Sequence, residues 1–300
     1  MSSDSSYYVP ESSKLPIFMA FGLLLFVLGA GSTINDLGKE SSNSYILLMT
    51  SFAVIWGVMF VWFSNVISEN NKGMYSDQLN QSFVWGMAWF IFSEVMFFFA
   101  FFLALGYVRM FSVPWLGGEG EKAITNILWP AFEATWPVMV TPDNETFPGA
   151  EKNMNMPGIT KLHTWLPFWN TLCLVTSSGT IALAEAALKK GKRAAFKSWM
   201  VVTISLGFIF VFLQGLEYYE AYAHMGLTLG AGIYGTTFFL LTGFHGFHVC
   251  LGAIILTIMT IRGFGGAFSE HDHFGLAAGS WYWHFVDVVW IFLVLVVYVF

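Results

Sequence analysis

Apolar residues run along this chain in seven long blocks separated by polar links, at roughly 16–35, 45–67, 83–108, 164–188, 198–222, 234–262 and 280–300. A helix needs about 20 mainly apolar residues to cross a bilayer, and all seven blocks meet that length. None alternates apolar and polar residues over about ten positions, as a barrel strand would. The pattern predicts an all-α, polytopic membrane protein with seven transmembrane helices. One connection is long. Residues 109–162 include WLGGEGEKAITNILWPAFEATWPVMVTPDNETFPGAEKNMNMPGIT, whose Gly, Pro and acidic residues argue against continuous helix. Trp115, Trp129 and Trp136 in this segment fit an interfacial aromatic belt. The triplet Asn144-Glu145-Thr146 matches a glycosylation sequon but reads better as chance.

Charge adds orientation. All 13 Lys and Arg fall outside the blocks or at their rims. Lys189, Lys190, Lys192, Arg193 and Lys197 cluster between blocks four and five, Lys72 lies between two and three, and Lys14 precedes the first. Arg262 ends the sixth block, the link between five and six has no basic residue, and the first link has only Lys39. The positive-inside rule then places the N-terminus in the cytoplasm and the C-terminus outside. Arg109, Lys122, Lys152 and Lys161 fall on the outer side, in a long segment whose charges count for less. The first block is expected to be retained rather than cleaved, because MSSDSSYYVPESSK is acidic as well as basic and the apolar run is long. Composition agrees: 56% hydrophobic and 11% charged residues, against about 25% charged in a soluble domain, exclude a soluble enzyme and a disordered chain. Thirteen basic residues against 19 acidic exclude a nucleic-acid partner. Two cysteines build no disulfide framework, and Cys173 and Cys250 are expected to behave as small buried apolar residues.

A charge at membrane depth is costly, so each one marks a candidate site. Glu94 lies near the middle of WGMAWFIFSEVMFFFAFF; it must stay protonated there or find a partner. Arginine is absent from the block interiors, which leaves histidine. A structural hydrogen bond and a proton-exchanging or lipid-contacting acid both fit. His245 and His248 in TGFHGFHVCLG share a helix face, as two metal ligands would, but a full site needs further ligands. Gly243, Gly246, Cys250 and Gly252 nearby let another helix approach, so packing is the stronger reading. His284 and Asp287 stand one turn apart and are expected to pair with each other. Glu185, Glu217 and Glu220 lie near block ends, where reaching toward the interface suffices to explain them.

The last block, WYWHFVDVVWIFLVLVVYVF at 281–300, resembles the C-terminal signature of the cytochrome c oxidase subunit III family. In the family's order, GIYGTTFFLLTGFHGFHV at 232–249, LQGLEYYEA at 213–221, PFWNTLCLVTSSGT at 167–180 and WFIFSEVMFFFAFF at 89–102 extend the resemblance over blocks three to seven. It implies seven helices in two bundles, one–two and three–seven, around a lipid-filled cleft. The corresponding division here is 1–67 and 68–300. It also implies that Glu94, in Ser93-Glu94-Val95, is the family's carbodiimide-reactive buried glutamate. His245, His248, His284, Asp287 and Glu217 would then serve helix packing or lipid contact. The sequence departs from the family's pattern at Ala277, where a glutamate is usual, and at Glu185 and Ala186, where histidines are.

By this resemblance the chain is a haem-free accessory subunit of a proton-pumping oxidase in aerobic respiration. Subunits I and II would hold haem and copper and take electrons from cytochrome c, while this chain binds phospholipid, stabilises subunit I and supports proton uptake and oxygen access. The length of 109–162 points to a bacterial inner membrane, with the mitochondrial inner membrane as the alternative. A quinol oxidase subunit III or a nitric oxide reductase companion is the near rival, but those usually have five spans. An independent transporter would need more polar groups in the spans than these. Beyond His245, His248 and His284 the blocks contain no imidazole. The chain expressed without partners is therefore expected to carry neither haem nor copper, and stoichiometric iron or copper on metal analysis would overturn that.

Overall fold

The computed structural model describes residues 8, 12–36, 43–270 and 273–300. Most of the polar N-terminal tail, and Lys39 of the first link, lie outside the described residues. Among the described residues seven helices are long and apolar enough to cross a membrane: α1 (Leu15–Asn35), α2 (Ser44–Asn71), α3 (Asp77–Leu116), α4 (Leu166–Lys189), α5 (Arg193–His224), α6 (Gly232–Phe264) and α7 (Phe274–Val299). Each coincides with one apolar block, and α2, α3, α4 and α5 run past theirs into polar residues at one or both ends. The chain divides into two compact units, Met1–Gly86 and Met87–Phe300.

In the first unit α1 and α2 form a close hairpin. A Cβ on Gly29 would fall 2.7 Å from the Leu48 backbone nitrogen, and one on Gly22 would fall 3.0 Å from Ile55 Cγ1. These two glycines, seven residues apart on one face, let the helices touch at the backbone. Phe26 meets Phe52 edge-on beside them, with ring centroids 5.4 Å apart. Past the end of α2, the Tyr75 hydroxyl donates to Val66 O and Glu69 Oε2, both at 3.0 Å. Burial, and then the Glu69 carboxylate beside it, push this phenol above its ordinary range, so it stays a donor.

In the second unit α4 packs on α5, α5 on α6, α6 on α7, and α7 back on α4. Their most apolar windows are between 28% and 56% buried, whereas those of α1, α2 and α3 are 11% buried or less. The centre of the unit is Trp283 of α7, fully buried, with its indole N–H donating to Ser177 Oγ of α4 at 2.8 Å. Gly207 of α5 and Gly252 of α6 admit its ring: a Cβ on either would fall 2.8 Å from it. Gly252 thus provides a close approach, as its sequence context suggests. Gly246 does not, since a Cβ there would meet nothing within 4 Å. The part of α3 in this unit meets α6 and α7 through long side chains, with Phe97 against Phe244 at 5.1 Å and Phe90 against Tyr282 at 6.0 Å. Cys173 and Cys250 are half-buried rather than fully buried.

The long connection starts later than the residue pattern suggests, because α3 continues through a π-helical turn at Val108–Ser112 and on to Leu116. Arg109 is therefore a helix residue. Its guanidinium donates to Val296 O (3.2 Å) and Phe300 O (2.5 Å) and lies over the Trp136 ring, satisfying carbonyls that the end of α7 leaves open. Downstream the connection is tied across the same end of the bundle. Glu151 N donates to Met225 O, Met154 N to Tyr234 Oη and Met156 N to Tyr298 O.

Confining one indole between two glycines generates an expectation. Gly207→Ala and Gly252→Ala should each cost about 1–3 kcal/mol by overpacking Trp283. The measurement is the thermal unfolding midpoint of the purified protein. Gly215→Ala on α5, where a Cβ meets nothing within 4 Å, should leave that midpoint unchanged or slightly higher. A Gly252→Ala protein that melts with the parent would show that the indole is not confined.

Candidate functional site

The buried polar groups of the second unit fall into three clusters, each joining different helices. The first contains Glu94. On α3, whose outward face here carries Trp89, Phe92, Val95 and Phe99, Glu94 turns toward α6 with its side chain 22% exposed. His248 Nε2 lies 2.9 Å from Glu94 Oε2, and His248 Nδ1 lies 2.6 Å from the Phe244 carbonyl. A carbonyl only accepts, so Nδ1 carries a proton. The short contact to Glu94 then holds exactly one more, either on the imidazole facing a carboxylate or on the carboxyl facing a neutral imidazole. Both descriptions leave the pair with no net charge, which suits its depth in hydrocarbon. Phe97, Phe98 and Tyr282 surround the His248 ring at centroid distances of 6.0, 5.1 and 6.4 Å.

The second cluster lies along α7. His245 is fully buried, and its Nε2 donates to the Val286 carbonyl at 3.2 Å, which fixes the tautomer and leaves Nδ1 without a hydrogen-bond partner among the described residues. His245 and His248 thus address different helices and do not converge on one point. His284 and Asp287 make no direct hydrogen bond among the described residues; Ser178 of α4 stands beside both, its Oγ 2.8 Å from His284 Nδ1. Asp287 is buried beside them, and its Oδ1 has no hydrogen-bond partner among the described residues. A neighbouring helix offers a better-placed hydroxyl than the next turn of the same helix offers a carboxylate.

The third cluster corrects the reading of Glu217. Far from reaching toward an interface, it is 1% exposed. Tyr298 of α7 donates its hydroxyl to Glu217 Oε1 at 2.5 Å, and Asn170 of α4 donates to Glu217 Oε2 and to Gln214 Oε1, each at 3.4 Å. Glu220, three residues on, is exposed; Glu185 is half-buried, with Oε1 unpartnered among the described residues. Asn170, Gln214, Ser177 and Ser178 went unnoticed in the sequence because they carry no charge. The available signal was spacing: Gln214 and Glu217 stand one turn apart on α5, and Ser177 and Ser178 fall on the inward face of α4 with Leu174 and Ile181.

The shared proton of the first cluster is open to chemical test. A lipophilic carbodiimide reacts with protonated carboxyls, so it should modify Glu94, with the label in a peptide from 89–102, and Glu94→Gln should abolish that label. His248→Leu removes the competing imidazole and should raise the labelling rate several-fold. Unchanged labelling in Glu94→Gln, or slower labelling in His248→Leu, would overturn this account of the pair.

A family model described as cytochrome c oxidase subunit III matches residues 5–121 and 126–300. The chain is 34% identical to cytochrome c oxidase subunit 3 of Arabidopsis thaliana, 32% to that of Oncorhynchus masou and 33% to that of Triticum aestivum. Each comparison covers 98% of this chain and 96% of the relative. A seven-helix chain, matched over nearly its whole length on both sides, belongs to the cytochrome c oxidase subunit III family.

Proposed function

We propose that this chain is the haem-free accessory subunit of a proton-pumping cytochrome c oxidase, assembled with subunits I and II. Those subunits hold haem and copper, accept electrons from cytochrome c and reduce oxygen. This chain stabilises subunit I, supports proton uptake into it and holds phospholipid through which oxygen approaches. The observation that carries this reading is the family match over nearly the whole chain. Its helix surfaces support it: Trp89, Phe92, Phe99 and Leu103 of α3 present a continuous exposed apolar face. In a membrane such a face is covered by lipid tails or by another apolar subunit. Oxygen dissolves better in apolar lipid than in water, so bound lipid gives it a route.

In this proposal the N-terminus is cytoplasmic, on the strength of the basic cluster from Lys189 to Lys197. The membrane is the bacterial plasma membrane, supported by the long connection between α3 and α4. The plant and fish relatives favour the mitochondrial inner membrane as the second placement. Glu94 serves as a lipid-facing or proton-exchanging acid, and His245, His248, His284, Asp287 and Glu217 hold helices or lipid in place.

Removing this chain from the purified oxidase tests the proposal. Oxygen consumption should begin, then decay sooner than in the intact complex, most clearly at higher pH, where protons are scarcer. The haem optical spectrum should be unchanged at the start. Immediate and complete loss of activity with properly assembled haems would mean that the chain takes part in the chemistry itself, and equal endurance would remove the stabilising role.

A further inference from the structure

The Glu217 cluster has an unbalanced hydrogen-bond inventory. Asn170 is fully buried and Gln214 is 6% exposed, yet Asn170 Oδ1 and Gln214 Nε2 complete no well-formed hydrogen bond among the described residues, although the Gln214 amide lies against Glu217 and Tyr298. Exchanging the amide oxygen and nitrogen does not remove the imbalance. Turning Asn170 alone sets its oxygen against Gln214 Oε1, and turning Gln214 alone sets two NH2 groups face to face. Turning both restores one bond between the amides but sets Asn170 Oδ1 against Glu217 Oε2 and leaves Asn170 Nδ2 and Gln214 Oε1 open. No arrangement of the two amides matches every donor and acceptor.

We infer that Asn170, Gln214, Glu217 and Tyr298 form a sealed hydration site that takes water between the two amides. Water accepts from one amide and donates to the other, which a metal cation cannot do, because a cation offers nothing to an N–H. Buried water of this kind bridges otherwise unmatched polar groups. The ligand stays because the site is closed on several sides. Asn170 comes from the start of α4, Gln214 and Glu217 from α5, and Tyr298 from the end of α7. Across the end lies the connection, with Met156 N bonded to Tyr298 O at 2.9 Å and Met154 O accepting from Trp165 Nε1 at 3.2 Å. Met154 itself is 8% exposed. This inference stands apart from any role of the chain in respiration.

The test uses the intact purified assembly that contains this chain. Brief X-ray irradiation in water generates hydroxyl radicals wherever water is bound, and mass spectrometry locates the oxidised side chains. Tyr298 should be oxidised, whereas Trp283, equally buried and more reactive, should stay intact. Asn170→Leu should reduce the Tyr298 label several-fold. Should that variant fail to assemble, ordered density in a high-resolution structure of the parent assembly decides instead. Density within hydrogen-bond distance of both amides supports the site. Tyr298 labelled no more than Trp283, amides repacked onto protein partners, or a cation ringed by oxygens would each overturn it.

Discussion

Hydrocarbon offers a polar side chain no partner, and the second unit is organised by that constraint. Its membrane-embedded polar groups bond across helices: His248 to Glu94, His245 to the Val286 carbonyl, Ser178 to His284, and Tyr298 to Glu217. Such interhelical hydrogen bonds contribute on average about 0.6 kcal/mol each, because the separated helices find other partners in the membrane. Leaving one of these groups bare in hydrocarbon costs several times that. The bonds therefore decide which faces of α3 to α7 meet, more than they decide how tightly. Packing supplies the tightness, and here it depends on small residues. Trp283 reaches Ser177 only because Gly207 and Gly252 leave room for its ring.

The same reasoning separates the two units. α1 and α2 approach through Gly22 and Gly29, and their windows are only 11% and 6% buried. Ser51 is their fully buried polar side chain, and it bonds within its own helix, to Leu48 O. This pair holds by backbone proximity and aromatic contact, and among the described residues no side-chain hydrogen bond joins α1 to α2.

How much of this the sequence disclosed follows from the kind of signal each feature leaves. The seven spans were legible because apolar length alone defines them in a bilayer. Glu94 was conspicuous as a charge among Phe residues, and the absence of arginine in the spans left histidine as its natural partner. Which histidine could not be read, since His245 and His248 share a helix face and only the rotation of α6 against α3 distinguishes them. Glu217 misled because nearness to a span end resembles nearness to an interface; the folded connection closes that end to bulk solvent. His284 and Asp287 misled for a similar reason. A local i, i+3 pairing is visible in sequence, whereas a hydroxyl on a helix more than a hundred residues away is not. The extension of α3 to Leu116 runs past Arg109, beyond the end of the apolar block, and Pro114 is tolerated in its last turn because it falls at the start of the α-helical segment after the π-helical stretch.

The same constraint shapes the surface that the chain presents to the membrane. The second unit turns several of its polar side chains inward, and large apolar side chains of α1, α2 and α3 stand exposed. A surface of that kind recognises another apolar surface weakly and without direction, and lipid tails cover it equally well. Glu94 is a polar position at the margin of that surface, its side chain 22% exposed and hydrogen-bonded to His248. A neutral pair can stand at a lipid-facing surface without the penalty of a free charge. The bonding that fixes His248 in place, through the Phe244 carbonyl and the surrounding rings, makes the pair a property of the fold rather than of the exposed side chain alone.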